Sequence, residues 1–278
     1  MRRAAGAGAR PRRVLLLHGL GGNPAVWDRM ITHLDEDHEV WDAELPWAGG
    51  LRRSGWGQDT AAPADALAEL VRRPAKPSGA PFDAVVAHSY AANLLLEALA
   101  SRLIAPVPTV LLSPFYRSSP DDFDWPTISH YLNDFHQTFA EALEVGVTGR
   151  HPRARRDWLA RCLRDQIGPY GWMRFFETYL RTPFLDLPAV TAPTLVVAGG
   201  RDRVAPAAEG RALAVRLPGG RHAPLPDGGH FPMVEQPDLV AGLVSGFLRD
   251  AYDSDDSDDS DDSAAGAHWS QTYSEKDF

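Results

Sequence analysis

The chain has 278 residues, of which 44% are hydrophobic, and its net charge at neutral pH is −9. This length and apolar content are sufficient for one full-sized core. Its apolar runs are shorter than the ~18 residues of a transmembrane helix, so we expect no membrane partner. The Arg-rich start leads straight into a strand-like segment rather than into the apolar region of a signal peptide, which predicts a cytoplasmic protein.

Cysteine content argues against disulfide or thiolate chemistry. Cys162 is the only cysteine. A single thiol cannot form an internal disulfide and has no thiolate partners for a metal site, which agrees with a reducing compartment. We therefore expect a buried thiol and no bound metal.

Nearly all of the net charge lies at the C-terminal end. Residues 251–278 hold nine acidic residues against one lysine, which accounts for eight of the nine net negative charges. The rest of the chain is nearly neutral, so it offers no basic face to a nucleic acid. The Ser/Asp run is too charged and too poor in apolar residues to fold, and we predict a disordered tail. The sequence fixes neither its role nor the oligomeric state.

Strands and helices alternate along most of the chain. In chain order, apolar runs predict strands at 14–17, 40–45, 82–87, 107–112, 194–198 and near 222–225; helical spacing predicts helices at 64–71, 90–103, 207–217 and about 237–249. Such alternation predicts the α/β class, with a mostly parallel sheet and helices on both faces.

The alternation stops in the middle of the chain, where a segment of helical pattern is crowded with aromatic residues. We predict a helical cap insertion at 114–188 between a core of two parts, 14–113 and 189–250, with a flexible basic N-terminus at 1–13. The rings of the insertion would form the core of a small helical subdomain, cover a pocket, or do both.

Ser89 is the candidate nucleophile. The segment DAVVAHSYAAN places it directly after an apolar strand and directly before a helix, which is the arrangement of a nucleophile elbow. Such a turn needs small residues two positions to either side, and Ala87 and Ala91 stand where glycines are usual. Taken alone, the pattern fits a helix-capping serine equally well.

Two later loops supply the partners that a serine nucleophile needs. Asp202 follows a strand in GGRDRVAP, and His230 precedes the last helix in DGGHFPMVEQPD. A serine needs a base within hydrogen-bond reach, and the histidine needs a carboxylate that fixes its tautomer and stabilises its charged form. The order Ser, Asp, His on an alternating pattern favours a catalytic triad over an isolated turn histidine.

Backbone N–H groups would stabilise the oxyanion of an acyl-transfer reaction. One comes from the residue after the nucleophile, here Tyr90, and one from the loop after an early strand, here Leu20 in HGLGGN. An ordinary glycine turn is the alternative for this loop. It has neither a Walker lysine nor GxGxxG spacing, so we expect no nucleotide cofactor.

Four segments together resemble the α/β-hydrolase superfamily: LLLHGLGGNPAVW, AHSYAAN, PTLVVAGGRDRVAP and GGHFPMVEQPDLV. The resemblance covers about residues 14–249 and is weakest in the insertion. It implies a mostly parallel sheet with a helical cap, and it implies Ser89 as nucleophile, His230 as general base and Asp202 as its orienting acid. The serine at the elbow is unlike the aspartate of haloalkane dehalogenases and typical epoxide hydrolases.

The sequence predicts an enzyme that cleaves carboxylic ester or thioester bonds of a small to medium apolar substrate through an acyl-enzyme, without a cofactor. Two alternatives stay open: carbon–carbon hydrolysis or acyl transfer with the same triad, and a non-catalytic binding protein on this fold. Apolar ligands bind well against rings, so we expect Tyr116, Trp125 and Trp172 to line the substrate pocket.

Overall fold

The computed structural model describes residues 1–6, 11–47, 62–73, 81–133, 136–137, 139–140, 143 and 152–267, with the backbone alone described at 255–267. The strands are β1 (Arg2–Ala4), β2 (Arg12–Leu17), β3 (His38–Asp42), β4 (Ala84–His88), β5 (Thr109–Leu112), β6 (Thr194–Gly199) and β7 (Gly220–Leu225). The α-helices are α1 (Asp28–Ile31), α2 (Pro63–Arg72), α3 (Tyr90–Ala100), α4 (Trp125–Asn133), α5 (Arg153–Leu180), α6 (Ala207–Arg216), α7 (Pro232–Glu235) and α8 (Pro237–Ala267). Short 3-10 helices cover Pro24–Trp27, Pro120–Asp122, Thr182–Phe184 and Leu187–Ala189.

The strands form one sheet in the order β1-β3-β2-β4-β5-β6-β7 within the described residues. All neighbouring pairs are parallel except β1 with β3, which is antiparallel. This confirms the predicted α/β class with a mostly parallel sheet. Parallel strands are usually buried on both faces, which explains why β4, β5 and β6 read as continuous apolar runs.

Two apolar layers cover the two faces of the sheet, as strand β4 shows. Val85 and Ala87 pack in one layer with α2 and α3, whereas Ala84 and Val86 pack in the other with α1 and α8. The alternation follows from the two-residue period of a strand. Helices therefore lie on both faces, as predicted.

Residues 2–4 of the N-terminal segment form a strand, and the flexibility predicted for residues 1–13 stays a prediction. β1 adds to the edge of the sheet beside β3. Arg3 stabilises this pairing, since its guanidinium lies 2.5 Å from the carboxylate of Asp42 and also pairs with Asp28. Sequence periodicity could not reveal the strand because it is only three residues long.

Helices α4 and α5 lie between β5 and β6 in the chain, where we predicted a helical cap; the bounds 114–188 stay a prediction. α5 is kinked at Gly168, whose φ of 68° interrupts the helix before Pro169. Cys162 on α5 is exposed, so the expectation of a buried thiol is wrong. The reason is that most of the first half of α5 faces solvent.

The last helix is longer than predicted. It begins at Pro237 as expected but continues to Ala267 instead of ending near Arg249, so it enters the segment predicted as a disordered tail. Among the described side chains, Tyr252 is the last that belongs to the apolar core. The Asp/Ser run beyond it has low helix propensity, and its disorder in solution stays a prediction. Residues 268–278 of the tail lie outside the described part.

No helix in the described part of the chain is both long enough and apolar enough to cross a membrane.

Candidate active site

Ser89 occupies a sharp turn between β4 and α3. Its backbone angles are φ 54° and ψ −123°, and a positive φ is rare for a residue with a side chain. Ala87 and Ala91 are fully buried at the crossing of strand and helix, which therefore accommodates a methyl group at each position. The turn has the geometry of a nucleophile elbow. Ala87 and Ala91 fit into it although glycines are usual at both positions.

The structure brings Ser89, His230 and Asp202 together in one line of hydrogen bonds. The Nε2 atom of His230 lies 3.0 Å from Ser89 Oγ, and its Nδ1 atom lies 2.8 Å from Asp202 Oδ2. All three side chains are buried. With a proton on Nδ1 donated to the carboxylate, Nε2 is the nitrogen that can accept the serine proton.

Asp202 is held in its ionised form by the loop after β6. Its Oδ1 atom accepts hydrogen bonds from the backbone N–H groups of Val204 at 2.8 Å and Ala205 at 2.9 Å, which leaves Oδ2 for His230. Burial acts to raise the pKa of Asp202, but His230 and the two N–H donors outweigh it and hold the pKa below its usual value. The carboxylate therefore carries charge beside the imidazole.

The loop that carries His230 sits on the end of β6. A Cβ atom at Gly199 would lie 2.4 Å from the carbonyl oxygen of Gly229 and 2.5 Å from that of Gly228, so only glycine allows this approach. The Arg201 N–H donates to the Gly228 carbonyl at 2.8 Å. The position of His230 relative to Asp202 thus depends on backbone contacts between the loops that carry them.

The loop after β2, which contains Leu20, is fixed by the buried residues His18 and Trp47. The Leu45 N–H donates to His18 Nε2 at 3.2 Å, so His18 Nδ1 carries the proton and donates to the Gly19 carbonyl at 2.9 Å. Trp47 Nε1 donates to the His18 carbonyl at 3.2 Å.

Of the two residues predicted to supply oxyanion donors, Tyr90 follows Ser89 directly and Leu20 follows a glycine that contacts Ser89. Leu20 follows Gly19, where a Cβ atom would meet the Cβ atom of Ser89 at 2.9 Å. Tyr90 is the first residue of α3, and the first N–H groups of a helix have no acceptor within the helix.

Aromatic side chains that the sequence did not single out lie close to His230. The ring of Phe115 lies 5.8 Å from that of His230, and the ring of Phe231 lies 5.2 Å from it. Phe175 of the cap contacts Phe115 at 5.0 Å and Tyr90 at 5.8 Å. One signal was available for Phe115: it lies in the loop after β5, and loops after neighbouring parallel strands meet at the same edge of the sheet.

Only one of the three predicted pocket residues lines a described cavity in the cap. Trp172 lines a cavity of about 380 Å³ in the cap together with Tyr131, and its ring lies 5.2 Å from that of Phe175. Tyr116 is buried. Trp125 is 82% exposed at the first position of α4, so the structure does not bring it to the triad. Aromatic composition did not reveal which ring faces inward.

Glu209 on α6 joins the cap to the core. Its carboxylate accepts hydrogen bonds from the Tyr116 N–H at 2.9 Å and the Tyr179 hydroxyl at 3.0 Å, and it lies 3.2 Å from the Arg117 guanidinium. Burial raises the pKa of Glu209 to about 7, although the Tyr116 N–H and Arg117 act in the opposite direction. Tyr179 belongs to α5, so this cluster fixes one end of the cap helix.

Comparison with known proteins identifies the family. Residues 14–243 match the alpha/beta hydrolase family. The chain is 28% identical over 255 residues to a pimeloyl-(acyl-carrier protein) methyl ester esterase of Aromatoleum aromaticum, covering 85% of this chain and 98% of that protein. It is 27% identical over 261 residues to an esterase of the same name from Pectobacterium atrosepticum, covering 87% of this chain and 96% of that protein.

The fold of this chain is similar to that of a solved esterase structure. The crystal structure of a thermophilic esterase from Thermogutta terrifontis matches with a TM-score of 0.58 and 21% identity, covering 90% of this chain and 93% of that one. The family match spans most of the chain and includes the segments that carry Ser89, Asp202 and His230. The chain therefore belongs to the alpha/beta hydrolase family of enzymes.

Proposed function

We propose that this enzyme hydrolyses carboxylic ester or thioester bonds through an acyl intermediate on Ser89. The observation that carries the proposal is the line from Ser89 Oγ through His230 to Asp202, with hydrogen bonds of 3.0 and 2.8 Å. A buried serine next to an imidazole, itself bound to an ionised carboxylate, is the arrangement that turns a weak hydroxyl into a nucleophile.

In the first half of the reaction, Ser89 Oγ forms a bond to the substrate carbonyl carbon while its proton passes to His230 Nε2. The carbonyl oxygen becomes an oxyanion, and the backbone N–H groups of Leu20 and Tyr90 would donate to it. When the bond to the leaving group breaks, His230 returns the proton to the alcohol or thiol. Asp202 stays ionised and stabilises the imidazolium.

In the second half, a water molecule attacks the acyl-enzyme. His230 Nε2 takes one proton from the water as its oxygen bonds to the acyl carbon, and the same proton then goes to Ser89 Oγ as the ester bond to the serine breaks. The products are the free acid and the regenerated triad. The reaction therefore needs water but no cofactor.

The surroundings of the triad favour an apolar substrate of small to medium size. Phe115 and Phe175 form an apolar layer beside His230, and Trp172 extends this layer into the cap cavity. We therefore propose these three rings, rather than Tyr116 and Trp125, as contacts of the acyl chain. The names of the curated relatives, which describe methyl ester esterases, support ester cleavage over carbon–carbon cleavage.

Turnover in labelled water tests this function. Wild type, Ser89→Ala and the control Ser101→Ala, which changes an exposed serine after α3, would be incubated with p-nitrophenyl butyrate and a butyryl thioester in H₂¹⁸O. We expect wild type and the control to release butyrate with one ¹⁸O atom, and Ser89→Ala to release none above the uncatalysed rate. Turnover retained in Ser89→Ala would overturn the proposal, as would a wild type that passes the butyryl group to an added alcohol and forms no ¹⁸O-labelled butyrate, which would identify an acyltransferase.

A further inference from the structure

Glu235 binds the backbone on both sides of His230. Its Oε2 atom accepts from the Gly229 N–H at 2.6 Å, and its Oε1 atom accepts from the Phe231 N–H at 3.0 Å. These two residues directly precede and follow His230. One carboxylate thus occupies both amide groups next to the candidate general base.

The identity of residue 229 agrees with this contact. A Cβ atom on Gly229 would lie 2.8 Å from Oε1 and 2.9 Å from Oε2 of Glu235. Any side chain at this position would push the carboxylate away from the loop. A glycine before His230 therefore gives Glu235 the space to reach both N–H groups.

His88 contacts the same loop through the carbonyl group of His230. Its Nε2 atom lies 2.7 Å from the carbonyl oxygen of His230. Burial lowers the pKa of His88 to about 3, so its ring is neutral, and a proton on Nε2 lets it donate to that carbonyl. The peptide groups around His230 are thus fixed by the residue that precedes the nucleophile and by Glu235.

We infer that Glu235 is a positioning residue for His230. By fixing the backbone at 229 and 231, its carboxylate keeps His230 Nε2 at 3.0 Å from Ser89 Oγ and keeps Nδ1 facing Asp202. This inference rests on the proposed function, because positioning matters for catalysis only if His230 acts as the base. A purely structural role, the stabilisation of the short helix α7, is the competing explanation.

Two substitutions separate positioning from simple loss of charge. Glu235→Gln and Glu235→Ala both remove the charge, but glutamine keeps one oxygen that can accept a hydrogen bond, and alanine keeps none. Because small misplacements of catalytic groups cost up to ~100-fold in rate, we expect kcat to fall about tenfold for glutamine and about a hundredfold for alanine, with KM nearly unchanged. An effect of charge alone would give two equal losses.

The matched control is Asp227→Asn, which changes another carboxylate of the same loop. Asp227 pairs with Arg201, and both side chains are exposed. We expect its kcat and its unfolding temperature to stay near those of wild type. Equal kcat in wild type, Glu235→Gln and Glu235→Ala would overturn the positioning role.

A measurement without substrate separates this inference from the proposed function. The proton on His230 Nδ1, bonded to Asp202, gives a low-field NMR signal when it is protected from exchange. We expect the signal in wild type and in Asp227→Asn, and its loss or broadening in Glu235→Ala at a temperature where all three proteins are folded. A wild type that shows the signal but lacks esterase activity would sink the proposed function alone, and an unchanged signal in Glu235→Ala would sink the positioning role.

Discussion

Gly19 and Ser89 approach each other so closely that a Cβ atom on residue 19 would lie 2.9 Å from the Cβ atom of the serine. The same Cβ atom would lie 2.9 Å from His88 Nδ1. The glycine therefore lets the loop that contains Leu20 lie against the nucleophile elbow. This contact links the loop after β2 to the candidate nucleophile.

Gly19→Ala should lower kcat by at least about tenfold, because the added methyl group would shift the Leu20 N–H away from the developing oxyanion. Steady-state kinetics with p-nitrophenyl butyrate measure the effect. Gly242→Ala is the control, since a Cβ atom there meets no other atom within 4 Å. A Gly19→Ala enzyme with wild-type kcat would show that this loop takes no part in catalysis.

Asp202→Asn should lower kcat by about 10³ to 10⁴-fold with a small change in KM, because the amide neither stabilises the charged imidazole nor selects the tautomer that accepts the serine proton. The asparagine oxygen can still accept from Val204 and Ala205, as Oδ1 does in the native loop, so the fold should survive. The measurement compares kcat and the circular dichroism spectrum of the variant with those of wild type. A fall in kcat of less than tenfold would contradict the role of Asp202 as the acid that orients His230.

Glu209 should make stability depend on pH. Its pKa is raised from 4.5 to about 7 in the folded protein, so the folded state binds the proton more tightly than the unfolded state. This contribution is complete below about pH 4.5 and is lost as the pH rises through about 7. Between these limits the free energy of unfolding of wild type should fall by roughly 2 to 3 kcal/mol relative to Glu209→Gln, which does not titrate.

Urea unfolding of wild type and Glu209→Gln at several pH values from 4 to 8 measures this difference. Glu36→Gln, which changes an exposed carboxylate in the turn before β3, serves as the control and should follow wild type at every pH. A constant difference between wild type and Glu209→Gln across the range would mean that Glu209 does not titrate in this window.

Phe175→Leu should shift the acyl preference towards longer or bulkier groups. Phe175 is buried against Phe115 and Tyr90, so the smaller side chain leaves space in the apolar layer beside His230. The ratio of kcat/KM for p-nitrophenyl octanoate to that for the acetate should rise several-fold. Phe184→Leu, at a residue 72% exposed, should leave the ratio unchanged. An unchanged ratio in Phe175→Leu would remove this ring from the acyl pocket.

The sequence predicted the sheet and the three loops that meet at the site because these features are local. Apolar runs indicated the described strands except β1, and the strand-to-helix turn at Ser89 and the loops of Asp202 and His230 could be read without knowledge of packing. Loops at the same edge of a parallel sheet lie close together, so their order along the chain was enough to suggest a common site.

The contacts of Glu209 and Trp125 could not be predicted, because they depend on how separate elements pack. The partners of Glu209 lie 93 and 30 positions away in the chain, and nothing in the local sequence distinguishes it from a surface carboxylate. Trp125 belongs to an aromatic segment, but its exposure depends on which face of α4 packs against the rest of the protein. The contacts of Glu235 with Gly229 and Phe231 are closer in sequence, yet only the structure shows that both carboxylate oxygens reach the loop.

The most direct test of the central claim is the mass of the intact protein after reaction with a fluorophosphonate, which forms a covalent bond only with an activated serine. The account predicts one adduct per chain in wild type, located on Ser89 by peptide mapping, and no adduct in folded Ser89→Ala. An adduct on another serine, or none on folded wild type under conditions that label a known serine esterase, would contradict it.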